Sequence, residues 1–231
     1  MDFGGFQKLT LLDYQGKVAC TVFTKGCNFY CPFCHNSYLV DESERAETIS
    51  DKEVLLYLEK RMGILEGVCI SGGEPLLNDE ITDFIKEVKN LGYSVKLDTN
   101  GSFPDKLKYF AEEGLIDYVA MDVKNSIEKY SVTAGNEKIS ISDIEKSIDF
   151  LLSGNIDYEF RTTVADELHT IYDIENISER IKGAKKYFLQ NFVDSGHIIG
   201  KSLHPVADED LEKMKKIAEK NIKEVAIRGK A

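Results

Sequence analysis

The chain has 231 residues, 42% of them hydrophobic, with a formal net charge of −11 at pH 7. That length suits one domain with a sizeable buried core, and the acidic balance argues against nucleic acid as a partner, because phosphate neutralisation needs clustered Lys and Arg. No apolar run approaches the ~20 residues that span a bilayer, and Met1-Asp2-Phe3-Gly4-Gly5 lacks the pattern of a secretion signal, so no membrane partner and a cytoplasmic location are expected.

Phe6 to Leu12 and Val18 to Thr24 flank Asp13-Tyr14-Gln15-Gly16, which predicts an opening hairpin over about residues 6–24. Its second arm, rich in β-branched residues, delivers the loop of residues 25–36, Lys25-Gly26-Cys27-Asn28-Phe29-Tyr30-Cys31-Pro32-Phe33-Cys34-His35-Asn36. Cysteines spaced C-x3-C-x2-C can converge on one centre, and thiolates select zinc or iron–sulfur over magnesium or calcium. A structural zinc site closes with four ligands, whereas a cubane cluster held by three cysteines keeps one iron open. The other reading of the same loop makes His35 a fourth ligand in a non-catalytic zinc-binding protein, although its place next to Cys34 makes joint ligation awkward. Cys20 and Cys69 sit in apolar strand-like runs and read as buried small hydrophobes.

Ser50 with Glu53 resembles a capping box, and Val54, Leu55, Leu58 and Met62 recur at helical spacing, which predicts a helix from Asp51 to Met62. Val68-Cys69-Ile70 is a strand that ends in Ser71-Gly72-Gly73-Glu74-Pro75, followed by a helix over Ile81 to Leu91. Ser94 to Asp98 is the next strand, with Thr99-Asn100-Gly101 as its exit and a helix over Pro104 to Glu113. Then come a strand at Tyr118 to Asp122, a loop through Ala134-Gly135-Asn136 and a helix over Ile144 to Leu152. A strand at Tyr158 to Val164, a helix near Ile171 to Ile181 and a strand at Tyr187 to Asn191 continue the pattern. A loop holds His197 and His204, which read as surface residues, and a C-terminal helix and short strand occupy about 207–229.

This alternation predicts an α/β fold with a parallel sheet, a single domain over 1–231 with no linker. About six βα units fall short of the eight of a closed barrel, so a partial (β/α)6 TIM-like barrel is expected. Binding sites in such folds collect at the carboxyl ends of the strands. The cysteine loop, Gly72 to Pro75, Asp98 to Gly101, Asp122, Lys124 and Arg161 all fall there. Each singly is also a turn, cap or rim residue.

The cysteine motif, with Phe33 before its last cysteine and followed by Gly72-Gly73-Glu74-Pro75, resembles the radical S-adenosylmethionine enzymes over nearly the whole chain. Cys31-Pro32-Phe33-Cys34-His35-Asn36, Leu97-Asp98-Thr99-Asn100-Gly101 and Met121-Asp122-Val123-Lys124 resemble motifs of glycyl-radical enzyme activating proteins, above all the activator of anaerobic ribonucleoside-triphosphate reductase. The resemblance implies that Cys27, Cys31 and Cys34 hold a 4Fe-4S cluster whose open iron binds S-adenosylmethionine. Reductive cleavage then yields a 5′-deoxyadenosyl radical that removes a glycine α-hydrogen from the partner enzyme. It also implies a flavodoxin- or ferredoxin-type electron donor. Gly72 and Gly73 would let the main chain approach the cofactor, Glu74 would order its amino group, and Pro75 would fix the turn's exit. Lys124 and Arg161 would contact its carboxylate, while Phe33, Cys34 and His35 would border the adenine. Asn100 falls in the same cofactor-binding rim.

Asp98, Thr99 and Asp122 resemble residues around a monovalent cation in the pyruvate formate-lyase activator, with capping and turn roles as the alternative. That activator also has a cofactor-contacting histidine near the end of its sixth strand. Leu189-Gln190-Asn191-Phe192-Val193 has none, and Gln190 or Asn191 would substitute. The departure sets the reductase activator ahead of the pyruvate formate-lyase activator, with other glycyl-radical enzymes, a peptide or a nucleotide precursor as further alternatives.

Overall fold

Side chains of the first hairpin strand are largely exposed, whereas those of the strands after it are buried almost without break, the contrast expected between an edge and an interior of a sheet. The computed structural model describes residues 1–40, 48–194, 196 and 198–229, which fall into two compact units. The fold is α/β with a sheet dominated by parallel pairs.

The first unit comprises Met1–Asn28, Tyr38–Thr99 and Phe103–Val119. Its elements begin with β1 (Asp2–Phe3), β2 (Gly5–Thr10), β3 (Ala19–Thr24), α1 (Ser37–Val40, which starts in the other unit) and β4 (Ile49–Ser50). They continue with α2 (Asp51–Glu59), β5 (Gly67–Gly72), α3 (Ile81–Asn90), β6 (Ser94–Thr99) and α4 (Pro104–Glu112). β2 pairs antiparallel with β3 as the expected hairpin, with Thr21 Oγ1 donating to Asp13 Oδ2 at 2.6 Å. β3, β5 and β6 then run parallel, with Thr24 opposite Gly72 and Ile70 opposite Leu97. The capping box at Ser50 and Glu53 starts α2 as predicted, and the helix closes at Glu59, three residues short of Met62. A small antiparallel pair of β1 with β4, Phe3 opposite Ile49, was not expected from the sequence. Val22, Val68, Ile70, Val95 and Leu97 of the sheet and Leu58, Ile81, Ile85 and Val88 of the helices are all completely buried and make up the core of this unit.

The chain passes to the second unit within β7 (Tyr118–Asp122). That unit holds Phe29–Ser37, Asn100–Ser102 and Ala120 onward. It contains α5 (Ile127–Ala134), α6 (Ile141–Leu152), β8 (Asp157–Val164), α7 (Ile171–Arg180), β9 (Lys186–Asn191), α8 (Asp208–Ala218) and β10 (Glu224–Arg228). β8, β9 and β10 are parallel neighbours. β10, the short final strand, is held by a bidentate pair from Arg228 to the buried Glu159 at 2.8 and 3.1 Å and by the guanidinium lying 3.5 Å over the Phe188 ring. Among the described residues no helix is long and apolar enough to cross a membrane.

Candidate cofactor site

In the first unit, β5 ends in a turn that only glycine can make. Gly72 has φ +115°, and a Cβ there would lie 2.4 Å from Thr24 N; a Cβ on Gly73 would lie 2.0 Å from Gly26 O. This close approach is fastened by Gly73 N donating to Thr24 O at 3.0 Å and Glu74 N to Gly26 O at 2.9 Å. The glycine turn is therefore seated on the start of the loop that carries Cys27.

Glu74 is held within its own turn. Its side chain is fully buried, and Oε1 accepts from Leu76 N at 3.1 Å and from Thr99 Oγ1 at 2.8 Å, capping the short 3-10 helix Pro75–Leu77. A carboxylate turned inward in this way shapes the turn. Asp98 Oδ1 is met by Lys96 Nζ at 2.5 Å, and its Oδ2 accepts from Ser71 Oγ at 3.1 Å. Sequence reasoning passed over Lys96; its signal was a lysine inside an apolar strand, two residues before an aspartate and so on the same face.

In the second unit the remaining loop residues find supports. Tyr30 N donates to Ala134 O at 2.8 Å, at the carboxyl end of α5, where Gly135 takes φ +63° and a Cβ would lie 2.0 Å from Tyr30 O. Cys34 N donates to Cys31 O at 3.0 Å, so Cys31 and Cys34 stand on one tight turn. Gly200 N donates to Pro32 O at 2.7 Å, and the His35 ring stacks on Phe192 with centroids 5.8 Å apart.

Asp122 bridges two cations. Arg161 Nε donates to Oδ1 at 2.9 Å and Lys124 Nζ to Oδ2 at 3.1 Å, and the same ammonium lies 5.8 Å over the Phe33 ring. The carboxylates Asp98 and Asp122, expected around a monovalent metal cation, are each held by the protein's own cationic side chains.

Burial pushes the Cys31 thiol up to about 11 while Lys124 pulls the other way, and burial raises Cys34 as well. Burial works to lower Lys124, but the Asp122 carboxylate and the Cys31 thiol outweigh it, so its pKa is raised and the ammonium stays charged. Thiols of this kind become thiolates when a bound metal ion supplies positive charge.

Asn100 Oδ1 accepts from Ser102 N and Oγ at 3.0 and 2.6 Å, an Asx turn that orders the exit of β6. Gln190 is half-buried near the end of β9. The Asn191 amide donates to Val206 O and its carbonyl accepts from Val206 N, both at 2.9 Å, so the side chain clasps the following loop. His204 belongs to that loop and pairs with Glu167 at 2.5 Å, on the surface as expected; His197 falls outside the described residues.

His169 gave no local signal in the sequence. It is buried, its Nδ1 accepts from Ala165 N at 3.2 Å, and Nε2 therefore carries the proton donated to Lys124 O at 2.9 Å. Burial lowers its pKa from 6.5. Stability owed to the neutral ring is complete above the unfolded value and is lost as pH falls from 6.5 through the depressed folded value. His169→Gln, which keeps a donor and an acceptor, is expected to flatten that acid loss in thermal unfolding curves; His35, lowered by burial, adds to the loss, and His204, raised by its Glu167 partner, opposes it. An unchanged slope would show that His169 is already charged in the fold.

A loop of three thiols, with Cys31 and Cys34 on one turn, is donor chemistry that suits an iron–sulfur centre. Among the described residues no group of three or more His, Cys, Asp or Glu closes as a metal site by itself. A family model described as the Radical SAM superfamily matches residues 21–169. The chain is 33% identical over 97% of its length, and 94% of the relative's, to a Methanocaldococcus jannaschii protein provisionally named a glycyl-radical enzyme activating enzyme. It is 26% identical to the pyruvate formate-lyase-activating enzyme of Clostridium pasteurianum, with 95% of each chain covered. In fold it is similar to Streptococcus suis SuiB bound to S-adenosylmethionine, with TM-score 0.69 and 14% identity, over 89% of this chain and 49% of that one.

Proposed function

The chain belongs to the radical SAM superfamily, and on that premise we propose that it is an activating enzyme that installs a glycyl radical on a partner, anaerobic ribonucleoside-triphosphate reductase. The observation that carries this reading is the joint placement of Asp122, Lys124, Arg161 and Phe33 in the unit that holds Cys31 and Cys34, a cationic, aromatic-lined setting suited to an amino-acid carboxylate. The names of two relatives that match nearly the whole chain support the activating class.

The 4Fe-4S cluster and S-adenosylmethionine that the family implies supply, when bound, reductive cleavage of the sulfonium and a radical able to take the α-hydrogen of a glycine. Cys27, Cys31 and Cys34 hold the cluster. The main chain of Gly72 and Gly73 would border the methionine end, with Glu74, Pro75 and Thr99 fixing the turn. Lys124 and Arg161 donate to the carboxylate, and Asp122 keeps the two cationic heads apart and aimed. Phe33 and the main chain at Cys34 and His35 border the adenine, with Asn100 and Gln190 as hydrogen-bonding groups at their strand ends. A flavodoxin or ferredoxin delivers the electron.

With the partner deuterated at glycine α-carbons, deuterium is expected in the 5′-deoxyadenosine formed under reduction. Cleavage without deuterium transfer from the reductase, but with transfer from pyruvate formate-lyase, would replace the partner. Transfer from no glycyl-radical enzyme would remove the activating role.

A further inference from the structure

Lys96 is a buried charge that the proposed function does not use; the residue is only 3% exposed. Its ammonium sits 2.5 Å from Asp98 Oδ1, in a pair whose carboxylate side chain is 13% exposed. Ser71 Oγ reaches the other carboxylate oxygen from β5 at 3.1 Å, and Thr24 Oγ1 from β3 donates to Ser71 O at 3.2 Å. One ion pair thus ties the carboxyl ends of three neighbouring strands. β3 feeds the cysteine loop, β5 the glycine turn, and β6 supplies Thr99, which holds Glu74. A pair this far from water carries a desolvation penalty that generic stability does not require, since apolar side chains of similar volume do as well. It does supply one fixed positive charge beside the Asp98 carboxylate, with Cys69 Sγ 3.9 Å from the same ammonium, as a bound alkali cation would supply one to that carboxylate.

We propose that the Lys96 ammonium is the built-in counter-cation of this end of the sheet, a positioning residue that holds Asp98 and Ser71 and through them the Gly72-Gly73 turn, without a monovalent metal ion. The proposal rests on the reading that this turn lies along S-adenosylmethionine. Replacing Lys96 by Met leaves a buried carboxylate beside a hydroxyl and a cavity the size of the lost ammonium. Potassium has the charge and donor preference to fill it, and tetramethylammonium is too large.

The experiment compares wild type, Lys96→Met and the double variant Lys96→Met with Asp98→Asn in potassium chloride and in tetramethylammonium chloride of equal ionic strength. The first measurement is the unfolding midpoint of the metal-free protein. Wild type is expected to show one midpoint in both salts. Lys96→Met should unfold at lower temperature in tetramethylammonium and recover saturably with potassium, and the double variant, with no bare carboxylate, should ignore the choice of salt. The second measurement is kinetic, on reconstituted protein: Lys96→Met should raise KM for S-adenosylmethionine by about tenfold in tetramethylammonium with a smaller change in kcat, and potassium should reverse it. A merely structural lysine would lower the midpoint without a KM shift or potassium-specific recovery. A potassium-dependent wild type, or a Lys96→Met protein indifferent to potassium, overturns the proposal. If Lys96→Met does not fold in either salt, the double variant decides: a raised KM that potassium leaves unchanged supports the proposal, and a wild-type KM overturns it. Absence of 5′-deoxyadenosine from wild type would sink the assigned chemistry while leaving the midpoint comparison intact.

Discussion

Replacing Cys27, Cys31 or Cys34 by alanine is expected to strip iron and acid-labile sulfide from protein purified without oxygen, whereas Cys20→Ala and Cys69→Ala keep both. The five thiols differ in their surroundings more than in their exposure. Cys20 and Cys69 are completely buried inside β3 and β5, among the apolar side chains of the sheet and outside the loop that carries the other three. Removing either sulfur costs about 1 kcal/mol of packing, a loss visible in the unfolding midpoint and not in metal content. Cys31 and Cys34 share a hydrogen-bonded turn, and the Lys124 ammonium favours the thiolate of both. Iron and sulfide analysis decides it: a full cluster in any of the first three variants, or its loss from the last two, would redraw the ligand set.

The second large effect belongs to Asp122→Asn. The carboxylate lies between Lys124 and Arg161, whose side chains are each only 12% exposed, so the substitution removes the negative charge that both poorly hydrated cations meet. Breaking such a network by removing one member costs on the order of 3 kcal/mol, the lower end of the range because Asp122 is itself 28% exposed. If that cost falls on the geometry of the bound cofactor, kcat/KM for S-adenosylmethionine cleavage drops about 100-fold. Kinetics of 5′-deoxyadenosine release in reconstituted variant and wild type measure it. A variant within a fewfold of wild type would mean that Lys124 and Arg161 are aimed by other contacts.

The sheet and its rim were legible because their signals are local. Ser50 with Glu53, the apolar run at Val68 to Ile70 and the glycines after it act over a few residues; the strand they predict is present, and the helix starts where the capping box places it and ends three residues early. The helix Ile127–Ala134 was not predicted, since Tyr130, Ser131, Val132 and Thr133 are weak helix formers. Tertiary contacts impose it: Asn125 Nδ2 donates to Thr133 Oγ1 at 2.8 Å, Lys129 reaches Asp173 at 2.6 Å, and Tyr130 is completely buried. Its carboxyl end then seats the cysteine loop. Lys96, His169 and the inward turn of Glu74 were hidden for the same reason. Hydrogen bonds such as His169 to Lys124, 45 residues apart, leave no trace in spacing or composition.

The central claim, that this chain installs a glycyl radical, is tested most directly by EPR. Protein reconstituted without oxygen is mixed with S-adenosylmethionine, a reductant and anaerobic ribonucleoside-triphosphate reductase. A glycyl-radical doublet is expected on the reductase, absent when Cys31→Ala replaces wild type. Cleavage of S-adenosylmethionine with no doublet on this or any other glycyl-radical enzyme would contradict it.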